Sequence, residues 1–127
     1  GDQGGGVVGT RRRDHIIGCK EVPSRSGRSV GSVNPATGQG LGEVAFGEPT
    51  DVDRAVDAAW NALEAGVWVG LPAAERGRRM RRVAALIRER ADDLAMLESL
   101  DSGKPLVSAR GDIMDAASLF EYVAQLP

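Results

Sequence analysis

Apolar residues recur at helical spacing through the second half of this chain, whereas the first half contains only short apolar runs separated by turn-forming residues. Positions three and four residues apart lie on one side of an α-helix, so this spacing predicts helices from about residue 50 onward. Residues that start and stop helices divide the region into four elements. The first predicted helix has Thr50 as its N-cap, with Asp53 three residues on as in a capping box, and is stopped by Gly66. The others start at Pro72, run from Ala91 to about Asp101, and run from about Pro105 to about Ala124.

Each predicted helix carries a single apolar stripe. The stripes contain Val52, Ala55, Val56, Ala59 and Leu63; Met80, Val83, Ala84 and Ile87; Leu94, Leu97 and Leu100; and Ile113, Ala117, Phe120 and Ala124. A one-sided apolar stripe has to be buried against another element. The pattern leaves two possibilities: the helices pack on each other as a bundle, or they cover a sheet that this chain does not contain.

Two β-hairpins are predicted before the helices. The first occupies residues 15–22, and the second joins Val30–Val33 to Leu41–Phe46 through a turn at residues 34–38. The Asn-Pro pair initiates that turn, and Gly38 supplies the positive φ that closes it. The predicted architecture is therefore α+β, with two hairpins followed by four amphipathic helices and no parallel sheet.

Residues 1–14 are rich in glycine and then basic, and they have no apolar periodicity. This composition predicts a disordered leader, so the domain is expected to comprise residues 15–127. The segment GGGVVG at residues 4–9 matches the glycine spacing of a dinucleotide-binding loop. That loop requires a strand before it, a helix after it and an acidic residue about 20 positions on. The sequence predicts none of these, which favours the flexible leader.

The segment ESLDSGKP, residues 98–105, contains the Gly-Lys pair of phosphate-binding loops. Such a loop needs a glycine five residues before the pair and a Ser or Thr after it. The chain has Glu98 and Pro105 at those positions, so the phosphate interpretation fails. Gly103 is instead placed to adopt the left-handed conformation that ends a helix, and Pro105 suits the first turn of the next helix.

Composition limits the function classes only weakly. Sixteen basic and 18 acidic residues give a net charge of -2, which selects no partner. No apolar run approaches the roughly 18 residues that a membrane span needs. The single cysteine, Cys19, excludes an internal disulfide and is compatible with a reducing compartment. We therefore expect a soluble, cytoplasmic protein without a membrane or nucleic-acid partner.

Arginines crowd the second predicted helix, and they are the one feature that favours nucleic acid. They are Arg76, Arg78, Arg79, Arg81, Arg82, Arg88 and Arg90. The stretch contains no aromatic residue, and acidic residues dilute it, which favours a solvated charged face. A nucleic-acid binder remains the less favoured of two alternative functions; the other is a stand-alone helical interaction module.

No group of residues has the spacing of a metal or catalytic site. Cys19 would act as a nucleophile only beside a base, and the one histidine, His15, lies four residues away in a strand-like stretch. Across a turn at Gly18 and Cys19, the imidazole would not face the thiol. We expect Cys19 to be inert, and the residues alone identify no catalytic and no cofactor-binding position.

Three segments nevertheless occur together in a known arrangement: SVNPATGQGLGEVAFGEPTDVDRAVDAA, ERGRRMRRVAALIRERADDLAMLESLDSGKPL and FEYVA. In order and spacing they resemble the N-terminal segment of NAD(P)-dependent aldehyde dehydrogenases, over about residues 30–124. The resemblance implies the first lobe of the coenzyme-binding domain, a fragment of an α/β fold whose helices pack on a sheet supplied later in the chain. The apolar stripes would cover that sheet.

The resemblance implies a subunit that oxidises an aldehyde to a carboxylic acid with NAD or NADP and that forms a homo-oligomer when complete. The family's nucleophilic cysteine, general-base glutamate, oxyanion-hole asparagine and Rossmann strands lie further along the chain than residue 127. Cys19 matches none of these positions. We therefore expect the 127 residues to be inactive alone, to bind NAD weakly or not at all, and to be marginally folded.

The resemblance also implies two sets of site residues. Segments like SVNP and LDSGKP help to form a sodium or potassium site in many family members. They nominate as ligands the carbonyl of Val33, with Ser32 beside it, and the carboxylate and carbonyl of Asp101. A helix like GDIMDAASLFEYVA borders the family's substrate tunnel, which nominates Asp115 and Leu119 as tunnel-facing residues.

Overall fold

The computed structural model describes residues 11–126, in which five short strands precede four helices. The elements are β1 (Arg11–Arg13), β2 (His15–Ile17), β3 (Lys20–Val22), β4 (Ser29–Val33), β5 (Gly40–Ala45), α1 (Pro49–Glu64), α2 (Ala73–Glu89), α3 (Ala91–Ser102) and α4 (Leu106–Val123). The chain divides into two compact units, with the boundary between Glu64 and Ala65. None of these helices is long and apolar enough to cross a membrane.

Both predicted hairpins are confirmed. Strands β2 and β3 pair antiparallel around Gly18 and Cys19, whose φ angles of 58° and 63° fit the two-residue turn that right-twisted hairpins prefer. Strands β4 and β5 also pair antiparallel, and Gly38 has the expected positive φ of 71°. The register of this second pair shifts between Ser32 and Val33.

Strand β1 was not expected from the sequence. Arg11–Arg13 pair in parallel with β5, which lies between β1 and β4 in a three-stranded sheet. The prediction that the chain contains no parallel pair is therefore wrong, and the strand begins inside the predicted leader. A short edge strand joined by backbone hydrogen bonds needs no apolar side chains and leaves no periodic signal. The rest of that leader, residues 1–10, lies outside the described residues.

Helix α1 begins earlier than predicted. Its first residue is Pro49, so Glu48 occupies the N-cap position and Asp51 the third helical position, in place of the predicted Thr50 and Asp53. The backbone N–H of Glu48 donates to Oδ2 of Asp51 over 3.3 Å, which is one half of a capping box. Proline suits the first helical position because its φ is already helical and its missing N–H would be unpaired there.

The unit that starts at Ala65 packs α2, α3 and α4 through small residues. The buried apolar side chains of residues 11–126 are Ala84, Ala91, Ala95, Ala109, Ala117 and Ala124, and no large one is fully buried. At the contact between α2 and α4, a Cβ added to Gly77 would lie 2.6 Å from the carbonyl oxygen of Ala124. The two helices therefore approach closely, without a large apolar side chain buried between them.

The apolar stripe of α1 is uncovered. Val52, Val56 and Leu63 are 57%, 59% and 52% exposed, and Trp60 on the same helix is 59% exposed. On α4 the predicted stripe is better buried, since Ala117 and Ala124 are buried and Phe120 is half-buried. Within its own unit, α1 therefore fits the second of the two expectations, a stripe that awaits a covering element.

Candidate functional site

The joint between α3 and α4 is an ordered helix stop. Gly103 has a φ of 76° and caps α3 in the left-handed conformation, as the sequence predicts. The hydroxyl of Ser99 donates to the carbonyl of Lys104 over 2.7 Å, and that of Ser102 donates to the carbonyl of Glu98 over 2.6 Å. The first of these bonds ties the last turn of α3 to the loop residue that precedes Pro105. The segment fixes the angle between two helices, in agreement with the rejection of a phosphate loop.

Lys104 neutralises two acids at this joint. Its Nζ pairs with Asp112 on α4 and lies 3.3 Å from Oε1 of Glu98 on α3. Hydrogen bonds to Asp112 and then to Glu98 raise the pKa of Lys104 above its ordinary value. Sequence reasoning missed this pairing because the partners lie six residues before and eight residues after the lysine, across a turn, where no periodicity rule applies.

The predicted cation ligands lie on separate units. Val33 is the last residue of β4, directly after the register shift, and is 55% exposed. Asp101 lies in the last turn of α3 and is exposed. Over residues 11–126 no three His, Cys, Asp or Glu side chains are placed to hold a metal ion. The cation site therefore stays a prediction that rests on backbone and carboxylate oxygens.

The predicted tunnel residues share one face of α4 with a tyrosine. Asp115, Leu119 and Tyr122 are spaced by four and three residues, so they lie on the same side of the helix. Leu119 is 61% and Tyr122 62% exposed, and Asp115 is exposed without an ion pair to any described residue. We call these three residues the α4 outer face. It combines a carboxylate, an aliphatic side chain and a phenol ring, a set that suits an organic cation.

Tyr122 was missed by the sequence analysis, because Asp115 and Leu119 were nominated through the resemblance and Tyr122, three residues after Leu119, was not. Tyr122 is part of the segment FEYVA, in which no pattern marks it as a surface residue. Its exposure is what identifies it, and exposure follows from tertiary packing, which the sequence pattern does not give.

Most of the arginines of α2 form ion pairs with acidic residues. Glu75 accepts from Arg79 over 3.1 Å and from Nε of Arg78 over 2.9 Å, and these two hydrogen bonds lower the pKa of Glu75. Arg82 lies 3.3 Å from Glu89 on the same helix. Such paired charges are the solvated face that the sequence favoured. The arginine cluster therefore gives the nucleic-acid alternative little support.

The cysteine and the histidine lie at opposite ends of their hairpin. Cys19 is exposed in the turn, whereas His15 pairs with Val22 at the open end. Nε2 of His15 lies 3.8 Å from Oδ2 of Asp51 on α1. The imidazole is thus directed to the helix start and does not serve as a base for the thiol, as expected from the sequence.

Comparison with known proteins decides the family. The model of the aldehyde dehydrogenase family matches residues 22–127. The chain belongs to the aldehyde dehydrogenase family. A curated family member, aminoaldehyde dehydrogenase 2 of Zea mays, is 45% identical over 118 residues, which are 91% of this chain and 23% of that protein. The chain therefore spans about a quarter of the length of the relative it matches.

Solved aldehyde dehydrogenases share the fold. An NAD-dependent aldehyde dehydrogenase from Sinorhizobium meliloti has a TM-score of 0.88 at 36% identity, over 96% of this chain and 24% of that chain. HpcC from Thermus thermophilus has a TM-score of 0.86 at 40% identity, over 91% and 22%. Betaine aldehyde dehydrogenase from Staphylococcus aureus, solved with NAD+, has a TM-score of 0.87 at 33% identity, over 90% and 23%. The predicted fold class, the N-terminal part of the aldehyde dehydrogenase fold, is confirmed.

Proposed function

We propose that this chain forms the N-terminal part of an NAD(P)-dependent aldehyde dehydrogenase, which oxidises an aldehyde to a carboxylic acid, and that it needs the rest of such a chain for activity. The uncovered stripe of α1 carries the proposal. Burying a large aliphatic side chain contributes about 1.5–3 kcal/mol, so a row of exposed ones on a helix indicates a missing partner surface. The solved relatives, four times as long, have the chain length to supply it.

The coenzyme of the whole enzyme is NAD or NADP. Among the structural relatives, the Staphylococcus aureus enzyme was solved with NAD+, and an Escherichia coli relative is described as NADP dependent. The nicotinamide would accept the hydride that leaves the substrate carbon. We assign no residue of 11–126 to the coenzyme, so the 127 residues alone are expected to bind it weakly or not at all.

The substrate is proposed to be an aldehyde that carries a positively charged amino group. The relative at 45% identity is an aminoaldehyde dehydrogenase, and the Staphylococcus aureus relative is a betaine aldehyde dehydrogenase. The α4 outer face suits such a substrate, because the Asp115 carboxylate attracts an ammonium group and the Tyr122 ring can bind it through a cation–π contact. Leu119 would contact the carbon chain between the two ends. In this role Asp115 and Leu119 keep the tunnel-facing positions predicted for them.

Three further properties are proposed for the whole enzyme. The Val33 carbonyl and the Asp101 oxygens act as donors to sodium or potassium, since hard cations prefer oxygen ligands. The complete subunit forms a homo-oligomer. It is cytoplasmic and has neither a membrane nor a nucleic acid as a partner.

A chimera tests the central proposal. Residues 15–127 replace the matching segment of the Zea mays relative, and NADH formation from an aminoaldehyde is measured for the chimera, the parent enzyme, the parent without the segment, and the purified 127-residue chain. We expect activity from the parent and the chimera only. NADH formation by the 127-residue chain would overturn the need for the rest of the chain. A soluble, folded and inactive chimera would overturn the proposed role in the enzyme.

The two alternative functions give different results in companion measurements on the 127-residue chain. A cooperative melt of a monodisperse monomer, together with an inactive chimera, would favour the stand-alone interaction module. Nucleic-acid binding that weakens steeply with salt would favour the nucleic-acid binder. We expect neither result.

A further inference from the structure

Asp51 is a buried carboxylate at the start of α1 that collects several donors. It is 3% exposed, and its oxygens accept the backbone N–H of Arg25 over 3.1 and 3.2 Å, that of Glu48 over 3.3 Å and the hydroxyl of Ser24 over 3.3 Å. Nη1 of Arg54 lies 3.4 Å from Oδ1. Burial alone would raise the pKa of Asp51, but the hydrogen bonds from Arg25, Glu48 and Ser24 and the nearby His15 together outweigh it and hold the pKa below its ordinary value. The group is therefore a charged anchor at neutral pH.

His15 faces this anchor without a hydrogen bond to it. Its Nε2 is buried, has no hydrogen-bond partner among residues 11–126, and lies 3.8 Å from Oδ2 of Asp51. That distance is too long for a hydrogen bond but is within ion-pair range. Gly47 lies beside the ring, since a Cβ added there would be 3.7 Å from Cε1, an ordinary van der Waals contact. The side chain is still 21% exposed, so protons from solvent can reach it.

Apart from the pair itself, the charged residues of the neighbouring segments lie in three places: Glu48 and Arg54 at the start of α1; Arg25 and Arg28 in the loop before β4; and Arg12, Arg13, Asp14, Lys20 and Glu21 on or beside the hairpin. Most are paired with each other, since Arg28 lies 3.4 Å from Glu48, Arg12 3.1 Å from Asp14 and Arg13 3.8 Å from Glu21. Arg54 approaches Oδ1 of Asp51, whereas His15 approaches Oδ2. Asp51 is thus the carboxylate placed to receive a proton-bearing imidazole.

We propose that His15 and Asp51 form a proton-sensitive latch between the β2–β3 hairpin and the start of α1. When a second proton from solvent makes the ring an imidazolium, its positive charge draws Nε2–H onto Oδ2 of Asp51 and ties the hairpin to the helix. The neutral ring lacks that charge, whichever nitrogen carries its proton, and leaves the latch open. Histidine is the side chain that ordinarily changes charge between about pH 5 and 8, and this is the range over which the latch is to be tested. The proposal does not depend on the activity of the whole enzyme.

Closing of the latch can be followed through the backbone amides that donate to Asp51. The backbone amides of Arg25 and Glu48 donate to Asp51, so their NMR signals sense a new positive charge on its other face. Wild-type chain and His15→Gln are compared from about pH 8 to about pH 5, the range in which histidine takes up a proton. We expect both amide signals to move with pH in the wild type and to stay fixed in His15→Gln. Equal movement in both proteins, or none in the wild type, would overturn the latch.

A second measurement applies if the 127-residue chain gives a poor spectrum. The melting temperature of the chimera described above is compared with that of its His15→Gln variant at about pH 5.5 and about pH 8. The latch predicts a larger loss of melting temperature at the lower pH, and an equal loss at both values contradicts it. Because melting does not require turnover, an inactive chimera would leave this outcome readable.

Discussion

Arg88 on α2 holds Glu121 on α4 through two hydrogen bonds, with Nε 3.1 Å from Oε1 and Nη2 2.9 Å from Oε2. This fork-to-carboxylate geometry fixes direction as well as distance. The mutual hydrogen bond raises the pKa of Arg88 and lowers that of Glu121. The buried contact between the same helices is made by alanines and a glycine, whose small size does not fix the relative orientation of the helices. The ion pair therefore sets how α2 and α4 align.

Arg88→Lys should lower the melting temperature by a few degrees, because lysine keeps the charge but loses the planar fork. The matched control is Arg82→Lys, which changes an arginine paired with Glu89 on the same helix, where both side chains are well exposed. An exposed pair of that kind contributes little, so no change is expected. If thermal unfolding shows the same loss for both variants, the fork is not what aligns the helices.

Gly77→Val should destabilise the unit of α2, α3 and α4, because the new side chain meets the carbonyl oxygen of Ala124, 2.6 Å from the position of its Cβ. Overpacking of this kind costs about 1–3 kcal/mol. Gly111→Ala is the opposite case on α4, with no atom within 4 Å of the added Cβ. It should stabilise the helix by up to about 1 kcal/mol through helix propensity. Urea unfolding followed by circular dichroism measures both; a shift of the same sign for both contradicts the close approach at Gly77.

Cys19→Gly should stabilise the first hairpin. Cys19 is the non-glycine residue with positive φ among residues 11–126, at 63°. A side chain in the left-handed region costs about 1–2 kcal/mol, which glycine avoids. Glycine also loses more conformational freedom on folding, and this loss offsets part of the gain. We expect a net gain of about 0.5–1 kcal/mol. Cys19→Ser removes the thiol but keeps the Cβ, so it should leave the free energy of unfolding unchanged. A matching gain for serine would assign the effect to the thiol.

Acid should destabilise the chain. The pKa of Asp51 is lowered because its hydrogen bonds and the nearby His15 together outweigh its burial, and hydrogen bonds from Arg79 and Arg88 lower the pKa values of Glu75 and Glu121. A carboxylate with a depressed folded pKa contributes stability above its unfolded value, and this contribution is lost as the pH falls through the folded pKa. The contribution of these three carboxylates should therefore decline as the pH falls below about pH 4. A flat profile to about pH 3 would contradict these shifts.

Asp115→Asn in the chimera should raise the KM for an aminoaldehyde and leave that for an uncharged aldehyde of equal length unchanged. The expected increase is up to about fivefold, the size typical of a solvent-exposed ion pair. Asp57→Asn, which removes an exposed carboxylate from α1, is the matched control and should change neither value. An equal change for both aldehydes would show that Asp115 does not recognise the amino group.

The helices were predictable because their signals are local. Apolar spacing, Gly103 and Pro72 define element ends within a few residues of the observed ones. The N-cap of α1 was placed two residues late, because Thr50 is a better capping residue than Glu48 and the preference of Pro49 for the first turn was not weighed. The contacts of Asp51 with Arg25 and His15 join segments that are far apart in sequence. No periodicity encodes such pairs, so only the folded chain brings them together.

The uncovered stripe of α1 has a consequence for biosynthesis. This segment matches the N-terminal part of the family fold, so in a full-length member it leaves the ribosome first. The remaining three quarters of such a chain take on the order of tens of seconds to translate at about 5–20 residues per second. Throughout that interval the side chains of Val56 and Trp60, exposed in the 127-residue chain, would have no later segment to cover them. Apolar surface exposed in this way favours aggregation, so the time needed to complete such a chain is the period of greatest risk.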